Sequence, residues 1–324
     1  MFPQVPAYFG LSVFKLGVHD QFKDELDWAV QYFQDISLKN KYGYHCWNSI
    51  GFPLQMRSGY SEVDVPDVVG GSLIGRYLLQ YYLYHPREEV KEVILSQYYF
   101  FLNELYVDLG EQGFIRYRPN QPKHKITYNA SLLACKFLME VDKHFDTDSS
   151  VILKKCFELV INRQKGAGQW YYTINLNTMS EKKQVDFHQG FILDAILDYI
   201  ESSKNDGKFL TAYKKGLEFY YNNQFMKSGQ GIYRYPKKWP VNIHNQSQGV
   251  TTFSRAGQFD PKFMEFAQTI ADWTITHMQD KRHGHFYYLK YPFFINKVPY
   301  IRWSDANMLL ALTNLINASK QLKN

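Results

Sequence analysis

Four polar residues stand where helices would begin, each sharing a face with apolar residues further along. Asn129 aligns with Leu132 and Leu133, His188 with Phe191 and Ile192, Gln246 with Val250 and Phe253, and Asp305 with Met308, Leu309 and Leu312. Side chains three, four or seven positions apart lie one above another on a helix, so these polar groups point the way the core does. Asp186, His244 and Arg302 accompany them at the same helix starts. Carboxylates and imidazoles that converge in this way are the materials of acid/base chemistry, and Asp186, His188, His244 and Asp305 are the candidate catalytic groups. If Asp186 and Asp305 flank one cavity at about 5 to 10 Å, glycoside hydrolysis is favoured. If His188 and a tyrosine dominate, elimination or epimerisation beside the sugar C5 is favoured, and sequence alone leaves both open. Structural roles compete at each position. Asp186 followed by Gln189 has the spacing of a capping box, Asn129 could tie down loop backbone, and an inward His188 could be a hydrogen-bonded core residue.

The chain is rich in aromatics, with 26 Tyr, 24 Phe and 6 Trp among 324 residues, and many fall in a loose repeat. Gly43-Tyr-His-Cys-Trp47, Gly113-Phe-Ile-Arg-Tyr117, Gly168-Gln-Trp-Tyr-Tyr172, Gly231-Ile-Tyr-Arg-Tyr235 and Gly284-His-Phe-Tyr-Tyr288 recur at intervals of 70, 55, 63 and 53 residues. Such a spacing holds one helical hairpin and a loop. The rings either plug the ends of helix pairs or form a surface for a ligand. In the second reading Trp47, Trp170, Tyr233, Trp239 and Trp303 stack on the C–H face of a sugar, and Arg57, Arg234 and Arg302 meet carboxylate or phosphate. Helix N-termini around the same cavity also favour an anionic ligand, so a negatively charged saccharide is the coherent partner, with Asn129 and Gln246 among its polar contacts.

Composition removes other classes. With 37 basic and 31 acidic side chains the net charge is +6, spread along the chain and without the Lys/Arg blocks of a nucleic-acid footprint. Cys46, Cys135 and Cys156 are widely separated and odd in number, which argues for buried reduced thiols. No signal peptide and no run of 18 apolar residues is visible, so the expectation is a cytoplasmic protein without a membrane span. HExxH, GxSxG, a P-loop and a strand-borne GxGxxG are all missing. His283-Gly-His285 lacks an evident third metal ligand, so no metal and no cofactor is expected.

The elements that must position these groups are helices. Periodicity marks hairpins at about 67–84 with 87–108, 128–142 with 148–163, 187–200 with 207–223, and 246–256 with 260–277. Segments 6–17 and 22–38 precede them, and a last helix covers 303–321. Eleven helices are one short of six hairpins, and residues upstream of Met1 are a conceivable source of the twelfth. The fold class is therefore all-α, a single domain over residues 1–324 in which hairpins close into an (α/α)6 toroid with long aromatic loops at one end; an open solenoid is the alternative. The sequons at Asn129 and Asn245 would stay unmodified in a cytoplasmic chain.

Four segments carry a resemblance: Tyr128-Asn-Ala-Ser-Leu-Leu-Ala134, Val185-Asp-Phe-His-Gln-Gly-Phe191, Asn242-Ile-His-Asn-Gln-Ser-Gln-Gly249 and Pro299-Tyr-Ile-Arg-Trp303. They resemble the bacterial and archaeal exopolysaccharide biosynthesis proteins of the VpsJ type, within the six-hairpin glycosidase-like group. The resemblance implies a toroid that binds or acts on a glycan in cell-surface polysaccharide biosynthesis, and it adds Tyr128 to the residues expected at the ligand. A non-catalytic glycan-binding scaffold is the second function class. Gln164-x3-Gly168-x-Trp170 also resembles the QW repeat of terpene cyclases, but no Asp-x-Asp-Asp motif is present and Asp64 and Asp67 are spaced differently.

Overall fold

In a computed structural model, residues 2–53, 55–56, 59–60, 62–203 and 207–321 are described, and the expected Arg57 contact lies outside them. The chain is largely helical: α1 (Gln4–Leu16), α2 (Lys23–Asp35), the single turn α3 (Lys39–Tyr42), α4 (Val68–Tyr84), α5 (Glu88–Phe100), α6 (Tyr128–His144), α7 (Ser150–Ile161), α8 (His188–Ser203), α9 (Gly207–Gln224), α10 (Ile243–Ala256), α11 (Pro261–Met278) and α12 (Asp305–Gln321). Among the described residues, the eleven helices longer than one turn are those read from periodicity, with shifted ends. The start of α10 moves back to Ile243 because the Asn242 side chain accepts the His244 N–H as its N-cap. The end of α5 falls short of 108: one wider turn covers Phe101–Leu105, and Tyr106–Asp108 pairs as a strand with Gly113–Ile115 across a turn at Gly110.

The contacts sort into two compact units, one built mainly on the residues up to 163 and the other on residues 164–171, 183–200 and 207–321. In the first, α1, α4 and α6 pack side by side, with α5 set against α4 and α7 against α6. In the second, α10 packs on both α11 and α12. Its core is a cluster of rings in which Phe253 lies 5.2 Å from Phe266 and 5.3 Å from Tyr220, measured between centroids. The Arg255–Asp198 ion pair at 2.5 Å joins α10 to α8. A small sheet of Val241–Asn242, Leu289–Lys290 and Ile295–Asn296 closes this unit's loops.

One hydrogen bond recurs at the end of each aromatic loop. A side chain from the first turn of the following helix, or its cap, accepts a backbone N–H of the loop. Asp67 takes Ser49 N–H at 2.9 Å, Ser131 takes Ile115 at 3.0 Å, Gln189 takes Trp170 at 2.9 Å, Gln246 takes Gly231 at 2.6 Å and Asp305 takes Phe286 at 2.7 Å. In the last four cases the N–H lies two residues past a glycine, which moves the fourth repeat from Gly231 back to Gly229. Gly168 and Gly229 have φ of +110° and +88°. Each closes the same tight turn, donating to Lys165 O and Met226 O respectively, both at 2.9 Å. Each also presses on the second helix of the hairpin that follows: a Cβ there would lie 2.4 Å from Lys215 O of α9 or 2.5 Å from Thr269 O of α11.

Gly229→Ala therefore meets both a left-handed backbone and a fixed carbonyl, and should cost about 2 kcal/mol or more. Gly17→Ala, left-handed at +71° with open space around it, should cost only about 1 kcal/mol. Urea unfolding of the two variants checks the difference; equal losses would contradict the close-approach account.

Candidate active site

Within the second unit, the starts of α8, α10 and α12 bring together groups that the sequence places more than a hundred positions apart. Asp186 precedes α8 and is 2% exposed. Its Oδ1 accepts the His188 backbone N–H at 3.3 Å and forms a short bond with the ring Nδ1 of the same residue. Its Oδ2 accepts the Gln184 amide at 2.7 Å and lies 3.6 Å from Arg234 Nε. Burial alone would push this carboxyl up, but the facing His188 and the bonds from His188 and Gln184 outweigh it and hold the acid below its ordinary value. An ionised carboxylate only accepts, so the proton of this pair sits on Nδ1 and a neutral His188 carries its lone pair on Nε2. Asp186 is thus both the cap and the orienting partner of a base. Gln189, expected to complete a capping box, instead clamps Trp170 through both ends of its amide.

His244, in the first turn of α10, has the opposite polarity. Asn307 Nδ2 lies 3.2 Å from its Nε2 and donates at 2.7 Å to Arg302 O, which fixes the amide's orientation. Nε2 therefore accepts, and the neutral ring bears its proton on Nδ1. Loss of solvation, then the charges of Arg302 and His188, push this imidazole down to about 3 against the opposing pull of Asp186. Phe187 lies against both imidazoles, its centroid 4.2 Å from the His188 ring and 5.0 Å from the His244 ring. Arg302 sits 5.6 Å over Trp303, which stacks on Tyr288 at 5.4 Å. Arg234 sits 5.1 Å over Tyr233. One imidazole oriented by a carboxylate at Nδ1 and one that presents its Nδ1–H make a pair of opposite hydrogen-bond polarity, the arrangement that proton transfer to and from a bound molecule requires.

The other expected residues lie elsewhere. Trp47 and Trp170 are fully buried: the Trp47 indole donates to Phe33 O at 2.7 Å, and a Cβ at Gly216 would meet the Trp170 ring at 2.7 Å. Both rings plug hairpin ends and offer no face to a sugar. Gln246 is fully buried in its clamp, donating to Gly229 O and Thr274 as well. Tyr128 and Asn129, in the first unit, are buried, and the Tyr128 hydroxyl and Asn129 Oδ1 find no hydrogen-bond partner among the described residues. Trp239 packs on the small core of Val241, Ile243, Met278, Phe286 and Met308. Asp305 spends Oδ1 on Phe286; burial pushes its carboxyl up, offset in part by that bond and by His285.

Sequence reasoning missed Gln184, Phe187, Tyr288 and Asn307. Asn307 lies five residues after Arg302 on the same helix start, a spacing that could have singled it out as the partner of Arg302 O. Asp280 supplies the third donor that His283 and His285 lacked, their ligand atoms all lying within 4.8 Å of one another. The carboxylate already accepts from Arg282 N, His283 N and the Tyr287 hydroxyl, and so organises its own turn.

No protein-family model and no curated protein matches the chain. Solved structures do. Cellobiose 2-epimerase from Bacillus thermoamylovorans is similar at a TM-score of 0.75 and 13% identity, over 96% of this chain and 86% of that one. A GH76 α-mannanase from Bacteroides thetaiotaomicron follows at 0.73 and 14%, over 100% and 87%. A D-mannose isomerase stands at 0.73 and 13%, over 99% and 88%. These are six-hairpin (α/α)6 toroid enzymes, and the fold of this chain is theirs.

The depressed His244 gives a signed stability effect. The unfolded imidazole takes up a proton below about pH 6.5 while the folded one refuses it, so this contribution is complete above pH 6.5 and drains away as pH falls toward 3. In urea titrations between pH 6.5 and 5, above the carboxylate range, wild type should lose about 1 kcal/mol per pH unit more than His244→Gln. Parallel slopes would show that His244 protonates freely in the folded state.

Proposed function

We propose that the protein is a sugar-acting acid/base enzyme that moves a proton at a carbon beside a carbonyl, as an epimerase or isomerase. The observation that carries this is the pairing of two imidazoles of opposite hydrogen-bond polarity, His188 and His244, around Phe187. Two-carboxylate hydrolysis is less well supported, because Asp186 is committed to His188 and Asp305 is engaged by the 284–288 loop. In the proposed reaction His188 Nε2 removes the proton from C2 of an open-chain aldose, and the electron pair moves onto the carbonyl oxygen as an enediolate. The His244 Nδ1–H and the guanidinium of Arg302 or Arg234 stabilise that charge. Return of the proton from His188 to the opposite face of C2, after the enediolate turns in the site, gives the epimer; return to C1, with the O2–H proton passing to O1, gives the ketose. Asp186 orients the base, Asn307 holds the His244 tautomer, and Tyr233, Tyr288 and Trp303 provide ring faces for the sugar. Asp305, Gln246, Trp47 and Trp170 serve the scaffold.

Support for a sugar substrate comes from the shared fold, which the solved cellobiose 2-epimerase and D-mannose isomerase use. The sequence resemblance to exopolysaccharide biosynthesis proteins supports a place in surface-polysaccharide metabolism, with a free or precursor saccharide as substrate; the N-terminal sequence, in which no signal peptide is visible, supports a cytoplasmic setting.

Incubation of mannose, glucose, cellobiose, N-acetylhexosamines and uronic acids in D2O, read by NMR and mass spectrometry, tests the proposal. The expected result is deuterium at C2 with conversion to an epimer or ketose. His188→Gln should lower kcat by about 10²–10⁴, Asp186→Asn should lower it with little change in KM, and His244→Gln should slow turnover again. Release of new reducing ends from oligosaccharides without exchange would establish hydrolysis instead. Unaltered sugar with intact binding in every variant would make the protein a glycan-binding module.

A further inference from the structure

Beside the groups of the proposed proton chemistry, the second unit carries an exposed basic and apolar surface. Residues 232–241 and 286–304 are neighbours through the sheet, Val241 pairing with Lys290 and Asn242 with Leu289. Together they hold Arg234, Lys237, Lys238, Lys290, Lys297 and Arg302 and not one Asp or Glu. These six charges equal the +6 net charge of the whole chain, so elsewhere acids and bases cancel. The strands Leu289–Lys290 and Ile295–Asn296 form a hairpin. At its turn Phe293 is 98% exposed and Phe294 60% exposed, with Tyr291 stacked on Phe294 at 4.3 Å. Val298 and Ile301, just beyond, are 48% and 56% exposed.

Large apolar side chains this exposed at the turn of a braced hairpin whose charged residues, Lys290 and Lys297, are both cations constitute a surface of defined chemistry. Phe, Val and Ile bring no hydrogen-bonding group, as a saccharide would require, and a phenyl ring exposed over nearly its whole surface lines no cleft. Apolar wedges beside lysines match the boundary between acyl chains and anionic headgroups, where rings are buried and cations meet phosphate. We infer that this face docks the protein on an anionic lipid bilayer, with Phe293 and Phe294 entering the headgroup region and Lys237, Lys238, Lys290 and Lys297 lying on it. The attachment is peripheral: among the described residues no helix is long and apolar enough to cross a membrane.

Co-sedimentation of the full chain with phosphatidylcholine vesicles, and with vesicles containing 30% phosphatidylglycerol, tests this. The expected result is binding to the anionic vesicles at least tenfold tighter than to the neutral ones, weakened at high salt as exposed charges are screened. Phe293→Ser with Phe294→Ser should remove at least nine-tenths of the binding, and Lys237→Glu with Lys238→Glu should weaken it by a similar factor. Both double variants alter exposed side chains and should melt at the wild-type temperature. Failure of the wild type to bind anionic vesicles overturns the inference, as does undiminished binding by both variants. Binding to an anionic polysaccharide but not to vesicles, or self-association abolished by the Phe substitutions, assigns the face to a glycan or a second copy and equally overturns it.

Discussion

The constraint on which the rest depends is the bond between each aromatic loop and the helix that follows it. A buried peptide N–H left without an acceptor costs about 1–3 kcal/mol, and each of the five aromatic loops presents one where it turns into the next helix. The acceptor comes from the helix start, as Asp67, Ser131, Gln189, Gln246 or Asp305. These residues differ in chemistry and agree only in reach, which explains why the repeat is loose in sequence and regular in space. The glycine two positions earlier completes the arrangement in the second unit, where Gly168 and Gly229 let a tight turn lie against the carbonyls of α9 and α11.

The site follows from those clamps. Gln189 and Gln246 hold the loops before α8 and α10, and the residues ahead of each clamp are thereby presented beside one another: Asp186, Phe187 and His188 from one start, His244 from the next. Asp305 does the same for α12, where Arg302 and Trp303 precede the clamp and Asn307 follows it. A side chain that anchors a loop is not at liberty to change protonation during turnover. Asp305 thus belongs to the frame, and the imidazoles of His188 and His244 are the groups left for the proposed chemistry.

This division marks how far the sequence could be read. Helix periodicity depends on apolar spacing, which is local, so all eleven long helices were legible, ten of them to within a few residues, while the end of α5 was placed eight residues too far. The polar residues at helix starts were legible as a set for the same reason. Their roles were not, because an inward Gln246 that clamps a loop and an inward His244 that packs on Phe187 and meets Asn307 satisfy the same pattern. The tryptophans failed in the same way: Gly-x-Trp places a ring beside a hairpin end, and only the packing of Gly216 against Trp170 decides that it plugs that end. Asn307 was hidden because its partner, His244, lies sixty-three positions away.

The two histidines show why hydrogen-bond direction, more than residue type, decides what a site can do. Both rings touch Phe187, yet Asp186 at Nδ1 makes one an acceptor through Nε2, and Asn307 at Nε2 makes the other a donor through Nδ1. Reversing either partner would produce two donors or two acceptors, and no proton could pass between them by way of a substrate. The positive charge of Arg302 strengthens the asymmetry, since it opposes protonation of His244 while it favours an anion nearby. In the proposed reaction a carbonyl compound that becomes anionic on losing a proton would be stabilised at the stage where charge appears, and His188, having taken that proton, is the group that returns it.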